Sequence, residues 1–143
     1  MRGFVEDFIT PEESAILRGL PSGKGYWRAE IKDLDPNCTA FRIVDRLAHH
    51  FDYTLNDNSY ICIEHQPKGH DWHKDTGDKD HMPWCTYGCS IMLSRSYEYT
   101  GGMFYYKDEQ IKPDFCNLLW HDSKTMHKVD AHQGLRVVCI IFI

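Results

Sequence analysis

Nine histidines in 143 residues make metal chemistry the first thing to test in this sequence. Two His-x-Asp triplets occur, where chance at this composition gives about one. In His50-Phe51-Asp52 the pair closes an amphipathic helical stretch. Helical residues two apart point about 200° from each other, so they cannot grip one ion. His73-Lys74-Asp75 differs in context, because it follows the loop Pro67-Lys68-Gly69-His70 that leaves a strand. In extended chain, residues i and i+2 point to the same side, so this pair can chelate. A facial triad of two histidines and one carboxylate needs a further imidazole from a distant strand, and it leaves positions open on iron for a co-substrate and dioxygen. His127 is the natural candidate: it opens a predicted strand, His127-Lys128-Val129, after the polar turn Asp122-Ser123-Lys124-Thr125. His121 and His132 sit in less regular surroundings.

Arg136 is the second signal. It stands in Leu135-Arg136-Val137-Val138-Cys139-Ile140-Ile141, at the start of the most apolar strand and with no acidic neighbour in sequence. Arginine keeps its charge and is almost never fully buried unless paired, so this one wants a carboxylate. That carboxylate belongs either to a structural ion pair within the chain or to a small acid gripped by the planar guanidinium fork.

The elements that must position these residues fall into two parts. Thr10-Pro11-Glu12-Glu13 reads as a capping box with Pro at the first helical position, which predicts a short helix from Pro11 to Leu20. Ala40, Ile43, Val44, Leu47, Ala48 and Phe51 share one face at the 3.6 period and predict a second, scaffold helix. Beyond Asn58 the chain turns to short β-branched and aromatic runs between turn-forming clusters. Strands are predicted at 59–64, 86–94, 102–107, 115–120, 127–131 and 135–143. The last is apolar on both sides and should be central. Such spacing gives an α+β, mainly β, chain: a sandwich or jelly roll with the two helices packed on one outer face. Without repeats or linkers, it reads as a single domain of residues 1–143, with 1–58 as helical N-terminal support and 59–143 as the core.

Composition excludes several classes. A net charge of −5 and a pI near 5.9 argue against a basic face for phosphate backbones, so no nucleic-acid partner is expected. No apolar run approaches a membrane span or a signal peptide, which predicts a cytoplasmic protein, in the host cytoplasm if the source is viral. Six cysteines without a Cys-x-x-Cys read as thiols, with Cys62 and Cys139 as small core hydrophobes. His81, Cys85 and Cys89 form only a weak zinc pattern.

Taken together, His73-x-Asp75, His127, Arg136 nine residues on, and Thr100-Gly101-Gly102 before the intervening strand resemble the iron(II)/2-oxoglutarate-dependent dioxygenases, in particular the prolyl 4-hydroxylase-like branch, in a compact form similar to its stand-alone microbial or viral members. The segment from Phe4 to Glu13 is similar to that branch's opening strand and helix, and Gly101-Gly102-Met103-Phe104 to its Gly-Gly strand. The resemblance implies a double-stranded β-helix (jelly-roll, cupin-like) core, with His73, Asp75 and His127 as Fe(II) ligands and Arg136 on the distal carboxylate of 2-oxoglutarate. His65 or Gln66 stands in the neighbourhood where the branch often carries a Tyr, which makes His65 a candidate secondary co-substrate contact. The implied reaction uses O2, with ascorbate as an accessory reductant. It hydroxylates a C–H bond of a prolyl residue in a peptide or protein and releases succinate and CO2. Asp75 separates the chain from the halogenase variant, in which chloride replaces the carboxylate.

Trp72, Trp84 and Tyr87, near the iron-bearing loop, are candidate walls for a proline ring or ordinary packing aromatics. Two rival readings use the same residues otherwise. A cupin-like zinc protein would hold its metal on His70, His73 and His81 and ignore 2-oxoglutarate, whereas a non-enzymatic sandwich would bind a partner through its tyrosines. Oligomeric state is left open, with Tyr97, Tyr99, Tyr105 and Tyr106 as candidate exposed contacts.

Overall fold

The most apolar strand takes the most enclosed place. In the computed structural model, which describes residues 1–21, 25–76 and 81–143, Val138–Phe142 (β12) pairs antiparallel with Tyr60–Glu64 (β3) on one side and Tyr87–Met92 (β5) on the other. Beyond β5 the sheet continues through Leu118–Asp122 (β9) to Arg2–Val5 (β1), and beyond β3 to Tyr26–Glu30 (β2). A second sheet orders His70–His73 (β4), His127–Val129 (β10), Phe104–Tyr106 (β7) and Glu109–Ile111 (β8), while Tyr99–Gly101 (β6) pairs with His132–Gly134 (β11). The chain is thus mainly β, a jelly-roll core with two helices.

The period of two divides the large sheet's work between its faces. Cys139 and Ile141 of β12, Ile61 and Ile63 of β3 and Ile91 of β5 join one core with Leu17 of Pro11–Arg18 (α1) and with Ile43, Val44 and Leu47 of Thr39–His50 (α2). The alternate residues Val138, Ile140 and Phe142, with Tyr60, Cys62 and Glu64, turn the other way and line a cavity shared with the second sheet. Burial in the apolar wall pushes the Cys62 thiol up to about 12, and all six cysteines are free.

Both helices follow their sequence signals. Thr10 accepts from the Glu13 N–H at 3.1 Å and Glu13 accepts from the Thr10 N–H at 3.0 Å, closing the capping box. Glu13 also carries Arg46 of α2 at 2.8 Å, which ties the two helices together. The first helix ends at Arg18 rather than Leu20, with Gly19 as its C-cap.

Several strand limits differ for local reasons. The segment predicted from Phe115 begins its strand only at Leu118, because Cys116 is left-handed (φ 69°) and breaks the extended run. The segment predicted from Leu135 begins at Val138, because Ser94 Oγ donates to the Leu135 carbonyl and accepts from the Val137 N–H in place of ladder bonds. The strand predicted at 127–131 ends at Val129, and a separate strand, β11, begins only at His132 and pairs with a different partner. The N-terminal segment supplies both edge strands of the large sheet as well as the helices.

Ile141 is completely buried between β12 and the helices. Ile141→Ala should cost about 2–5 kcal/mol of unfolding free energy, as deletion of fully buried aliphatic side chains does, measurable as a fall in the urea midpoint with an unchanged m-value.

Candidate metal centre

His73 closes β4 and His127 opens β10, and the two are direct cross-strand partners. Asp75 follows two residues after His73, and one ligand atom from each of the three lies within 4.8 Å of the others. Backbone carbonyls choose the tautomers. His73 Nδ1–H donates to the Asp71 carbonyl at 2.6 Å and His127 Nδ1–H to the Thr125 carbonyl at 2.9 Å. A carbonyl can only accept, so each ring keeps its Nε2 lone pair free for a metal. Phe104 stacks on the His127 ring at 5.6 Å and holds it in plane.

His121, set aside in the sequence as irregularly placed, completes the centre. It is buried on β9, where its Nε2–H donates to Asp75 Oδ2 at 2.8 Å and its Nδ1 accepts from the Tyr106 hydroxyl at 3.1 Å. The signal that could have found it is the period of two along β9, which puts His121 on the face opposite Leu118 and toward the cavity. Burial alone would push the Asp75 carboxyl up, but the hydrogen bond from His121 and the closeness of the His127 imidazole outweigh it and leave the group well below the usual carboxylate range. Burial pushes His73 and His121 down, favouring their neutral forms. Gly88 makes the contact feasible, since a Cβ there would collide with Asp75 Oδ2 and lie 2.8 Å from His121 Nε2.

Arg136 lies in the same cavity, of about 200 Å³, as the three candidate ligands. It is buried (8% exposed), and no carboxylate among the described residues comes within ion-pair distance of it. Glu64, the acidic residue on the cavity wall besides Asp75, is bonded to His70 at 3.2 Å instead. The Arg136 Nε–H is buried without a partner. Gly102, left-handed at φ +65°, gives this side chain its room, because a Cβ there would stand 2.5 Å from Arg136 Cδ. A triad of two imidazoles and a carboxylate, facing a buried guanidinium that lacks an anion, fits an iron ion and a small acid with a second carboxylate.

The other candidates are placed differently. His65, expected as a secondary co-substrate contact, is not among the described residues lining the cavity: its ring stands edge-on to His132, 5.2 Å away, while Gln66 reaches the cavity. Neither His70, His73 and His81 nor His81, Cys85 and Cys89 comes together as a ligand set among the described residues. Of the three aromatics, Tyr87 stacks on Phe51 at 4.3 Å on the helix side, and Trp72 lies under Lys107 at 3.9 Å. Trp84 reaches the cavity only through Tyr60, 6.0 Å away. Tyr97 is exposed, but Tyr99 and Tyr106 are buried and cannot serve as surface contacts, because their side of each strand faces inward.

No family model matches the sequence, and no curated protein does. Solved structures do. The viral collagen prolyl hydroxylase of Paramecium bursaria Chlorella virus-1, in its 2OG complex, matches with a TM-score of 0.67 at 10% identity, over 99% of this chain and 93% of that one. A Pseudomonas putida prolyl-4-hydroxylase matches at 0.65 and 12%, covering 99% and 90%. A Trichoplax adhaerens prolyl hydroxylase, in complex with a hypoxia inducible factor oxygen degradation domain peptide fragment, matches at 0.66 and 13%, covering 99% and 82%. The chain has the fold of the 2-oxoglutarate/iron(II) oxygenases. That is the fold the resemblance in its sequence implied, down to the opening strand and helix.

Two measurements probe the centre. Histidines held neutral by the fold bind fewer protons than in the unfolded chain, so they contribute stability that is complete above the unfolded value near 6.5 and is lost as pH falls below it. The apoprotein should therefore melt at a lower temperature at pH 5.5 than at pH 7.5, despite the opposing His70, which Glu64 pushes up. His121→Leu should flatten that dependence and lower metal affinity about 10- to 100-fold, as loss of a partner behind a ligand does, read by competition with a chelating dye.

Proposed function

We propose that the protein is an Fe(II)/2-oxoglutarate-dependent dioxygenase that hydroxylates a prolyl residue in a peptide or protein. The observation that carries this reading is the buried, anion-free guanidinium of Arg136 in one cavity with His73, Asp75 and His127. Bound iron and 2-oxoglutarate would supply dioxygen activation and the oxidising equivalents for C–H hydroxylation, with succinate and CO2 as co-products, and ascorbate would serve to keep the iron reduced.

The chain's own part is positional. The Asp71 and Thr125 carbonyls hold the two imidazoles with Nε2 forward, and His121 fixes the carboxylate rotamer. Arg136 binds the distal carboxylate and so sets where the keto acid end lies. The apolar wall of Val138, Ile140 and Phe142 keeps water from the co-substrate's methylenes. No side chain is required as a general base. The prolyl assignment is supported by the described activities of the structural neighbours. It is also supported by the aromatic corner of Tyr60, Trp84 and Phe142, which suits a pyrrolidine ring.

Anaerobic titration of the apoprotein with Fe(II) and then 2-oxoglutarate should develop the weak visible charge-transfer band of a chelated keto acid. His127→Ala should abolish it, and Arg136→Ala should raise the 2-oxoglutarate concentration needed by about 30-fold or more, the cost of unpairing a buried charge. Proline-containing peptides should then stimulate succinate release. Absence of the band with zinc retained would overturn the reading.

A further inference from the structure

A buried arginine ordinarily takes a carboxylate of its own chain, and Arg136 has one within reach. Glu64 is the cross-strand partner of Val138, Arg136 stands two residues ahead of Val138, and all three line the cavity. Diagonal neighbours across an antiparallel pair lie about 7–8 Å apart, a span that long side chains bridge. The two charges already act on each other, since Glu64 favours the charged form of Arg136. Yet no ion pair joins them: Glu64 Oε1 accepts from His70 Nε2–H at 3.2 Å instead.

The histidine is the fixed member of this pair. It opens β4, where it is paired with Val129 of β10. Ahead of it Gly69 is left-handed at φ +69°, and its backbone packs so closely on β10 that a Cβ would stand 2.2 Å from the Val129 carbonyl oxygen. A strand end held this way cannot follow Glu64 across the cavity. Glu64 is the movable member, since its carboxylate changes place by rotamer alone. Its present partner lies on the cavity's solvent side, with the His70 side chain 39% exposed. The other partner on offer is a buried guanidinium that lacks an anion, and an unpaired buried charge draws an opposite one strongly. The bond to His70 opposes that move.

We propose that His70 is a latch: by holding Glu64 on the solvent side it keeps that carboxylate off Arg136, and so keeps open a cavity that the chain would otherwise shut with an ion pair of its own. The proposal rests on the reading of the cavity as a 2-oxo acid site, and it adds to that reading a competitor built into the chain. A small acid enters only those molecules in which Glu64 is latched, so its observed affinity is the intrinsic one reduced by the latched fraction. His70 is thus a positioning residue, acting through Glu64 rather than on the ligand.

Calorimetric titration of the Mn(II)-loaded full chain with 2-oxoglutarate tests the latch. His70→Leu frees Glu64 and should weaken binding about tenfold or more, the scale of a hydrogen bond to a charged group. Glu64→Gln removes the competing charge and should bind 2-oxoglutarate as tightly as the wild type or more so. In the double variant, Glu64→Gln should restore most of the affinity that His70→Leu loses. That rescue separates a latch from a packing role, because removing the second partner of a merely structural contact repairs nothing. Mn(II) itself should bind all three variants as it binds the wild type. A His70→Leu protein of wild-type affinity, a loss that Glu64→Gln does not rescue, or a loss that follows weakened Mn(II) binding would each overturn the latch and leave the dioxygenase reading standing. A wild type that binds Mn(II) but no 2-oxoglutarate would overturn both.

Discussion

Strand β12 has to satisfy two environments at once, and the rest of the structure is arranged around that constraint. Both of its edges are hydrogen-bonded, so it cannot slip by one residue without exchanging every side chain between faces. Cys139 and Ile141 lock it to the helix-side apolar core. Val138, Ile140 and Phe142 are thereby committed to the cavity, and Arg136, just ahead of them, is carried into an apolar interior. The register that builds the core is the same register that aims the guanidinium.

The second sheet is built differently. Its strands are three or four residues long, and they bring His73 and His127 side by side while Phe104 and Tyr106 form only a small core cluster with Leu119. Small strands of this kind gain little from burial, so their order depends on what they hold. Phe104 against His127, Tyr106 against His121 and the paired carbonyl caps on the two imidazoles give each short strand a specific partner.

What could be read from the sequence divides along the same line. Both helices, the central strand, the nearness of His73 to Asp75 and the lone charge of Arg136 in an apolar run were legible, because each rests on a periodic pattern, on short spacing in extended chain or on a charge among apolar neighbours. Strands β2, β4, β6, β8 and β11 were not. A run such as Glu109-Gln110-Ile111 is too short to show a period, and its pairing depends on a neighbour distant in the chain. His121 was passed over for a related reason: its role comes from Asp75, 46 residues away in sequence, and no local spacing records that contact. The aromatics misled because Tyr87 and Trp72 lie close to the metal loop along the chain but point away from the cavity.

The hydrogen-bonded series from Asp75 through His121 to Tyr106 does not stop at the tyrosine. The Arg2 guanidinium lies over the Tyr106 ring at 4.4 Å and is itself paired with Asp108 and, at longer range, Glu109 at the outer rim of the second sheet. A surface cation thus sits on the π-face of the phenol that donates toward the metal-side histidine, and it favours electron withdrawal from that hydroxyl. The orientation of the Asp75 carboxylate is in this way tied, through His121 and Tyr106, to a solvent-facing ion pair on the first strand, so the protein's outer edge and its buried cavity share one continuous run of contacts.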